Sequence, residues 1–498
     1  MKKISTIASA QIQLLVTCVA IFVGAGFISG CRIEGLPPIQ AVEGTPILFG
    51  TTFFDLAKLG YQQREYFISG DANSYIGKDP LQPDGKWNVQ VVDSAAFKTR
   101  IVVYSPMDPA KFNGTVIFEW LNVSGGAEAG TDWIGAHTEL ASAGYIWVGV
   151  SAQKSGIDGG GVNYAGLKLP LKTLNPVRYE SLLHPGDKYA YDIFSRVAEL
   201  ALNPPADIKP LGDFSVKRVI ASGESQSADY MMSYVNAIAP EKKLFDGYFI
   251  HSRLHGSAGL SPQTEGPYLD LSQREPVHVR DDLDVPVMMV QTETDLFVLG
   301  SYADRQPDSA TFRLWEIAGT GHADTYISLT GLFDQGSKPD VAGIVTSTYA
   351  IPVLVNCDKP INSGPQHFVV KAAIVALNEW IRDGVAPTYA PRLETVGIPA
   401  AIARDSVGNA LGGIRTPAVD APIATLSGEG QTGGVFCSLF GTTEKFTRPQ
   451  LASLYPDHDS YVTAVSTSIE NAVREGFLLQ SDGDLINTWA QASSIGKN

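Results

Sequence analysis

The sequence predicts an α/β protein built on a mostly parallel, doubly wound sheet, and three observations carry that prediction. Apolar runs of strand length recur between residues 98 and 319, helix-like segments lie between several of them, and the runs are apolar almost throughout. Alternation of the two patterns marks an α/β sheet. Strands without a polar face suit the centre of a sheet covered by helices on both sides.

Taken in order, "REYFISG" from Arg64 and "NVQVVD" from Asn88 alternate more and lie close to turn signals, so they predict an antiparallel lead-in. Further strands are expected at "KTRIVVYSP" (Lys98 on), "GTVIFEWL" (Gly114 on), "YIWVGVSA" (Tyr145 on), "RVIAS" (Arg218 on), "DGYFIHS" (Asp246 on), "VPVMMVQT" (Val285 on) and "TFRLWEIAG" (Thr311 on). Helices are expected at "HTELASAG" from His137, "YAYDIFSRVAELAL" from Tyr189, "SADYMMSYVNAIA" from Ser227 and "HFVVKAAIVALNEWIRDG" from His367. The weakly patterned stretches near 153–185, 252–284 and 323–365 exceed ordinary connections and are candidate cap or active-site loops. Residues near 388–498 read as a C-terminal extension of the same domain, and "GGIRTPAVDAPIATLSGEGQTGG" within it has little periodicity. No repeat of solenoid or propeller length is evident.

A chain of 498 residues, 44% apolar and 18% charged, can bury a large core. Its net charge of −15, with no basic stripe, excludes a partner held by its phosphate backbone, so no nucleic acid is expected. Residues 1–30 differ from the rest: Lys2 and Lys3 precede "LLVTCVAIFVGAGFISGC", the pattern of an export signal. Ile28-Ser29-Gly30-Cys31 resembles a bacterial lipobox, which would make Cys31 the lipidated N-terminus of a single mature domain, 31–498. The expected location is the bacterial cell envelope, with membrane contact only through that anchor; without lipidation the protein would be periplasmic or secreted. Cys357 and Cys437 are then an even pair in an oxidising compartment, and a disulfide between them is expected. CxxC and Cys/His clusters are absent from the sequence, and neither a metal nor a cofactor is expected.

The stretch "RVIASGESQSADYMMSYV" runs from strand to helix through Ser225. In a nucleophile elbow the serine occupies such a turn, strained and exposed at the carboxyl end of the sheet, with small residues two positions either side. Here those are Gly223 and Ser227, giving G-x-S-x-S where G-x-S-x-G is commoner. A serine that merely caps the helix is the competing reading. Two further features favour the nucleophile, which needs a histidine base oriented by a carboxylate. His322 follows the strand that starts at Thr311, in "AGTGHADTY", and "TETDL" places Glu293 and Asp295 after the preceding strand. Asp295 is the expected acid and Glu293 the alternate, in the order serine, acid, histidine. For the oxyanion hole, one backbone donor is expected at Gln226. The other is expected at Asn122 or Val123 in "EWLNVSGG", where Gly125 and Gly126 let the backbone turn.

Together "NGTVIFEWLNVSGG", "GYIWVGVSAQ", "HPGDKYAYDIFS", "SGESQSADYM", "DGYFIHSR", "PVMMVQTETDL", "RLWEIAGTGHAD" and "INSGPQHFVVKAAIVALNEWIRDG" resemble the alpha/beta hydrolase domain-containing proteins. The resemblance covers most of the chain from about Val42. It implies an α/β-hydrolase fold and a serine nucleophile, carried onto Ser225 and His322, and it carries no substrate. The expected activity is that of a serine hydrolase, a carboxylesterase acting on a small-molecule ester through an acyl-enzyme. The alternatives are a non-catalytic cell-surface binding module on the same fold, and a hydrolase or lyase of non-ester substrates. Trp120, Trp133, Trp147, Trp315 and Trp380 are expected in the core, Tyr326 near the pocket, and Arg253 and Arg305 in ion pairs.

Overall fold

The computed structural model describes residues 37–497 except 162–165, 206–207, 262–270, 272–273, 338–346 and 353. The expected export signal, the lipobox and Cys31 lie outside the described residues. One nine-stranded sheet organises the chain: β1 (Ile39–Val42), β2 (Tyr61–Gly77), β3 (Val89–Pro106), β4 (Thr115–Trp120), β5 (Ile146–Val150), β6 (Arg218–Glu224), β7 (Gly247–His251), β8 (Val287–Thr292) and β9 (Phe312–Ile317). Their order across the sheet is β1-β2-β3-β5-β4-β6-β7-β8-β9. The first three strands and the β3·β5 pair are antiparallel; every pairing from β5 through β9 is parallel.

Neighbouring side chains along β4 show why the runs carry no polar face. Val116 and Phe118 enter one core with α2 (Ala190–Leu202) and α3 (Gln226–Ser233), whereas Ile117 enters the other with α1 (Thr131–Ser142) and α4 (Gln366–Asp383). A strand buried on both faces is apolar except where a buried polar side chain finds its own partner, as Glu119 does at the start of α1. The five tryptophans singled out from the sequence are all buried, in these two cores.

Three elements differ from the sequence reading. "NVQVVD" and "KTRIVVYSP" are one strand of 18 residues, because β2 pairs with it from Tyr61 to Gly77 and absorbs a register shift between Ser74 and Tyr75. Helix α1 begins at Thr131, six residues before His137, because the buried Glu119 at the end of β4 accepts from the backbone N–H groups of Asp132 and Trp133, each at 2.9 Å. Those groups are otherwise orphaned at a helix start. The last 50 residues carry two substantial helices, α5 (His458–Arg474) and α6 (Gln480–Ala492), which share a small core with Phe368 of α4. A disulfide joins Cys357 and Cys437 across 80 residues.

Candidate active site

Strand β6 ends at Glu224 and α3 begins at Gln226, so Ser225 alone makes the turn, with φ 59° and ψ −121°. It is one of three non-glycine residues with positive φ among those described, a conformation L-residues avoid. The strain is held by backbone on both sides: Ser225 N–H donates to the His251 carbonyl at 2.9 Å, and the Ser225 carbonyl accepts from Asp229 N–H at 3.2 Å. A Cβ on Gly223 would lie 2.7 Å from the Ser227 carbonyl oxygen, so glycine is required there. Ser227 itself is fully buried, and its small side chain fits where a glycine is commoner. The Ser225 hydroxyl makes no capping bond to α3.

That hydroxyl instead lies 2.8 Å from His322 Nε2, and His322 Nδ1 lies 2.6 Å from Asp295 Oδ1. Asp295 Oδ2 accepts the Thr292 N–H at 2.6 Å, which fixes the carboxylate at the end of β8. With both carboxylate oxygens accepting, Nδ1 carries the imidazole proton and Nε2 is left to accept from Ser225. Burial pushes the His322 imidazole down, but the charge and hydrogen bond of Asp295, with the charge of Glu224, outweigh it and hold it above the ordinary histidine value. Glu293 is turned away: it accepts from the N–H groups of Gly319 at 2.6 Å and Gly428 at 3.0 Å, and it pairs with Arg404 at 3.1 Å. Such an arrangement can move a proton off a serine hydroxyl and return it to a leaving group.

Of the backbone donors expected around an oxyanion, Gln226 N–H sits at the first position of α3. The Asn122 N–H is committed to the Ala129 carbonyl at 2.9 Å, so Val123 is the remaining donor of its pair. The Asn122 side chain has a separate task. Its amide donates to the carbonyl oxygen and to Oε2 of Glu224, both at 3.1 Å. Glu224, the variable residue before the serine in the pentapeptide, was not singled out from sequence. Its Oε1 lies 3.7 Å from His322 Nε2, and burial pushes its carboxyl up against the opposing charges of His322 and His251.

Other residues singled out from the sequence lie elsewhere. His251 binds Asp132 at 2.9 Å and His255 binds Asp304 at 2.8 Å; no group of three or more metal-ligating side chains occurs among the described residues. Tyr326 is buried against His367 with its hydroxyl on Asp334, and it does not line the cavity beside Ser225. Its neighbours Ile327, Ser328 and Leu329 do. Arg305 pairs with Glu316, and the buried Arg253 pairs with Asp304.

Ser225 and His322 open onto a cavity of about 490 Å³. A serine on a strand-to-helix elbow of a doubly wound sheet, bonded to a histidine and a carboxylate from later strand ends, defines an α/β-hydrolase. The family model of the alpha/beta hydrolase domain matches residues 36–488, and the chain belongs to that family. No curated protein matches the sequence. Among solved structures it is similar to a glucuronoyl esterase from Solibacter usitatus, at 14% identity over 57% of this chain and 82% of that one, with TM-score 0.27. It is also similar to acetyl xylan esterase 1 from Thermoanaerobacterium sp., at 10% identity over 57% and 82%, TM-score 0.28. A thermostable esterase from Pseudomonas putida matches at 14% identity over 49% and 66%, TM-score 0.25.

Proposed function

We propose that the protein is an exported serine hydrolase that cleaves carboxylic esters through an acyl-enzyme. One observation carries the reading: the continuous hydrogen-bonded chain from Ser225 through His322 to Asp295 opens onto a cavity large enough for a small molecule. Ser225 Oγ attacks the ester carbonyl while its proton passes to His322 Nε2. The C–O bond to the alcohol breaks and the alcohol leaves with that proton. Water then attacks the acyl-enzyme, giving its proton to His322, which returns it to Ser225 as the acid departs. Asp295 holds the imidazole tautomer throughout, and the N–H groups of Gln226 and Val123 are the donors for the oxyanion.

A module that only bound ligand would have no use for a strained serine within hydrogen-bond reach of a histidine–carboxylate pair. The experiment is labelling with a fluorophosphonate probe, with Ser225→Ala as control. Wild type is expected to label and the variant not to; equal labelling, or full ester hydrolysis by Ser225→Ala, overturns the reading. We further propose that the protein is a lipoprotein anchored at Cys31. The disulfide agrees with an oxidising compartment. Mass analysis of the mature N-terminus, with Cys31→Ala as comparison, tests this: an unmodified Cys31 in mature protein refutes it.

A further inference from the structure

We propose that the ester taken by this site is uncharged and carries a long or bulky apolar group, and that it is not a sugar or an anionic ester. The inference rests on the ester-hydrolase reading and narrows it to a substrate class.

The described lining of the cavity carries two ionisable side chains, Glu224 and His322, and both sit at its floor beside Ser225. No lysine or arginine is among the described lining residues, so an anionic group on the substrate would find no partner there. Glu224 would also face it as a second carboxyl group. The polar atoms at hand are few and several are spent. Asn122 is tied to Glu224, and the hydroxyl and N–H of Ser124 both donate to Asn122 Oδ1, at 2.7 and 2.8 Å. A polyhydroxylated sugar entering here would leave water-bonded hydroxyls unpaired, a cost that recognition of sugars ordinarily avoids with a set of free donors and acceptors.

The walls are apolar and come from four separate parts of the chain. Ile134 belongs to α1, Ile327 and Leu329 follow His322, Ile351 lies in a short hairpin (residues 350–356), and Leu439 lies in the 3-10 helix Val435–Phe440. The Cys357–Cys437 disulfide ties the last two together, and Ile351, both cysteines, Leu439 and Phe440 share one small core. The wall is thus braced from behind. Phe49, Phe53 and Phe333 stand at the mouth with relative exposures of 37%, 50% and 58%, and Phe53 meets Phe333 edge-on at 5.8 Å. Large apolar side chains left in water around a cavity mark a route for an apolar ligand.

The experiment measures kcat/KM for two series on the intact mature protein: p-nitrophenyl esters from acetate to octanoate, and acetate esters of alcohols from ethanol to decanol. An acetylated methyl glycoside and a monoester of succinic acid serve as polar and anionic comparators. Each methylene buried in an apolar site is worth about fourfold in transition-state binding. At least one series is therefore expected to rise by about a hundredfold or more before it levels off, with both comparators below its best member. Ile351→Trp, which fills the braced wall, is expected to lower the ratio of longest to shortest substrate by about tenfold. Flat profiles in both series, or a preference for the glycoside or the succinate, overturn the inference. If Ser225 takes up a fluorophosphonate and the profiles are flat, this inference falls while the ester-hydrolase reading stands. If Ser225 is not labelled and no ester is turned over, both fall.

Discussion

Replacing Asp295 by asparagine probes the site most directly, because the structure dictates what the new amide must do. Asp295 is fully buried, with one oxygen 2.6 Å from His322 Nδ1 and the other 2.6 Å from the Thr292 N–H. The Thr292 N–H needs an acceptor, so the asparagine carbonyl takes that place and its NH2 group faces His322. A donor facing Nδ1 forces the imidazole proton onto Nε2, the nitrogen that must accept from Ser225. In serine proteases the equivalent change lowers kcat by about 10⁴, or about 5 kcal/mol at 1.36 kcal/mol per decade. A loss of similar size is expected here, read as kcat on p-nitrophenyl butyrate and as the rate of fluorophosphonate labelling. Thermal unfolding checks the fold. Glu293→Gln is the companion: Glu293 bonds Gly319, Gly428 and Arg404 but not His322, so Tm should fall while kcat stays within about tenfold. The reasoning is refuted if Asp295→Asn keeps more than about a tenth of wild-type kcat while Glu293→Gln, with unchanged Tm, loses a thousandfold.

Further predictions follow from the same geometry. The general base must be neutral, and His322 is held above the ordinary value of 6.5, so the acid limb of kcat/KM should lie above pH 6.5; a limb well below that value contradicts the charge arrangement. Gly223→Ala should cost about 1–3 kcal/mol and abolish labelling of Ser225, because its Cβ would press on the Ser227 carbonyl at 2.7 Å; unchanged denaturation and labelling would argue against the elbow geometry. Burial raises the Asp324 carboxyl from 3.8 to about 7, so the folded state binds that proton more tightly than the unfolded chain, and stability falls as pH rises through this window. Asp324→Asn should therefore stabilise increasingly with pH, by about 4 kcal/mol once both states are ionised, as read by denaturant titration; a pH-independent difference refutes it. Replacing Cys357 and Cys437 together by serine frees a loop of 80 residues and should cost about 4 kcal/mol, with an unchanged Tm as the contrary result.

Much of the fold was legible because its determinants are local. Each central strand is a mostly apolar run, with its polar residues largely towards the ends, and the predicted helices carry apolar stripes. The start of α1 was not, since its first N–H groups are held by Glu119, 12 residues upstream on a strand end, and no side chain at Gly130 caps it. The C-terminal helices were missed for another reason. In α5 the apolar stripe is present as Tyr461, Val465 and Ile469 at intervals of four, but serine, threonine and valine fill much of the helix and have modest helix propensity. Asp457, which accepts from Ser460 N–H at 2.7 Å, was the available start signal.

The chemistry and the specificity of the site differ in how sequence can reveal them. Ser225, Asp295 and His322 each sit at the end of their own strand, where a parallel sheet brings successive carboxyl ends together; chain order alone therefore brought them into one reading. Asp295 is favoured over Glu293 in the sequence by its position past the strand end, and the structure shows why the two differ: both are buried on one short helix, Glu293–Phe297, and point to different partners. The cavity wall has no such rule. Ile134, Ile351 and Leu439 are unrelated in sequence spacing: α1 brings the first to the cavity, and the hairpin and the disulfide-tied segment, which share one small core, bring the other two. Any of them could change without disturbing the strand-end residues. The same separation would let one set of strand-end residues serve different substrates, and it is why the apolar lining had to be read from structure.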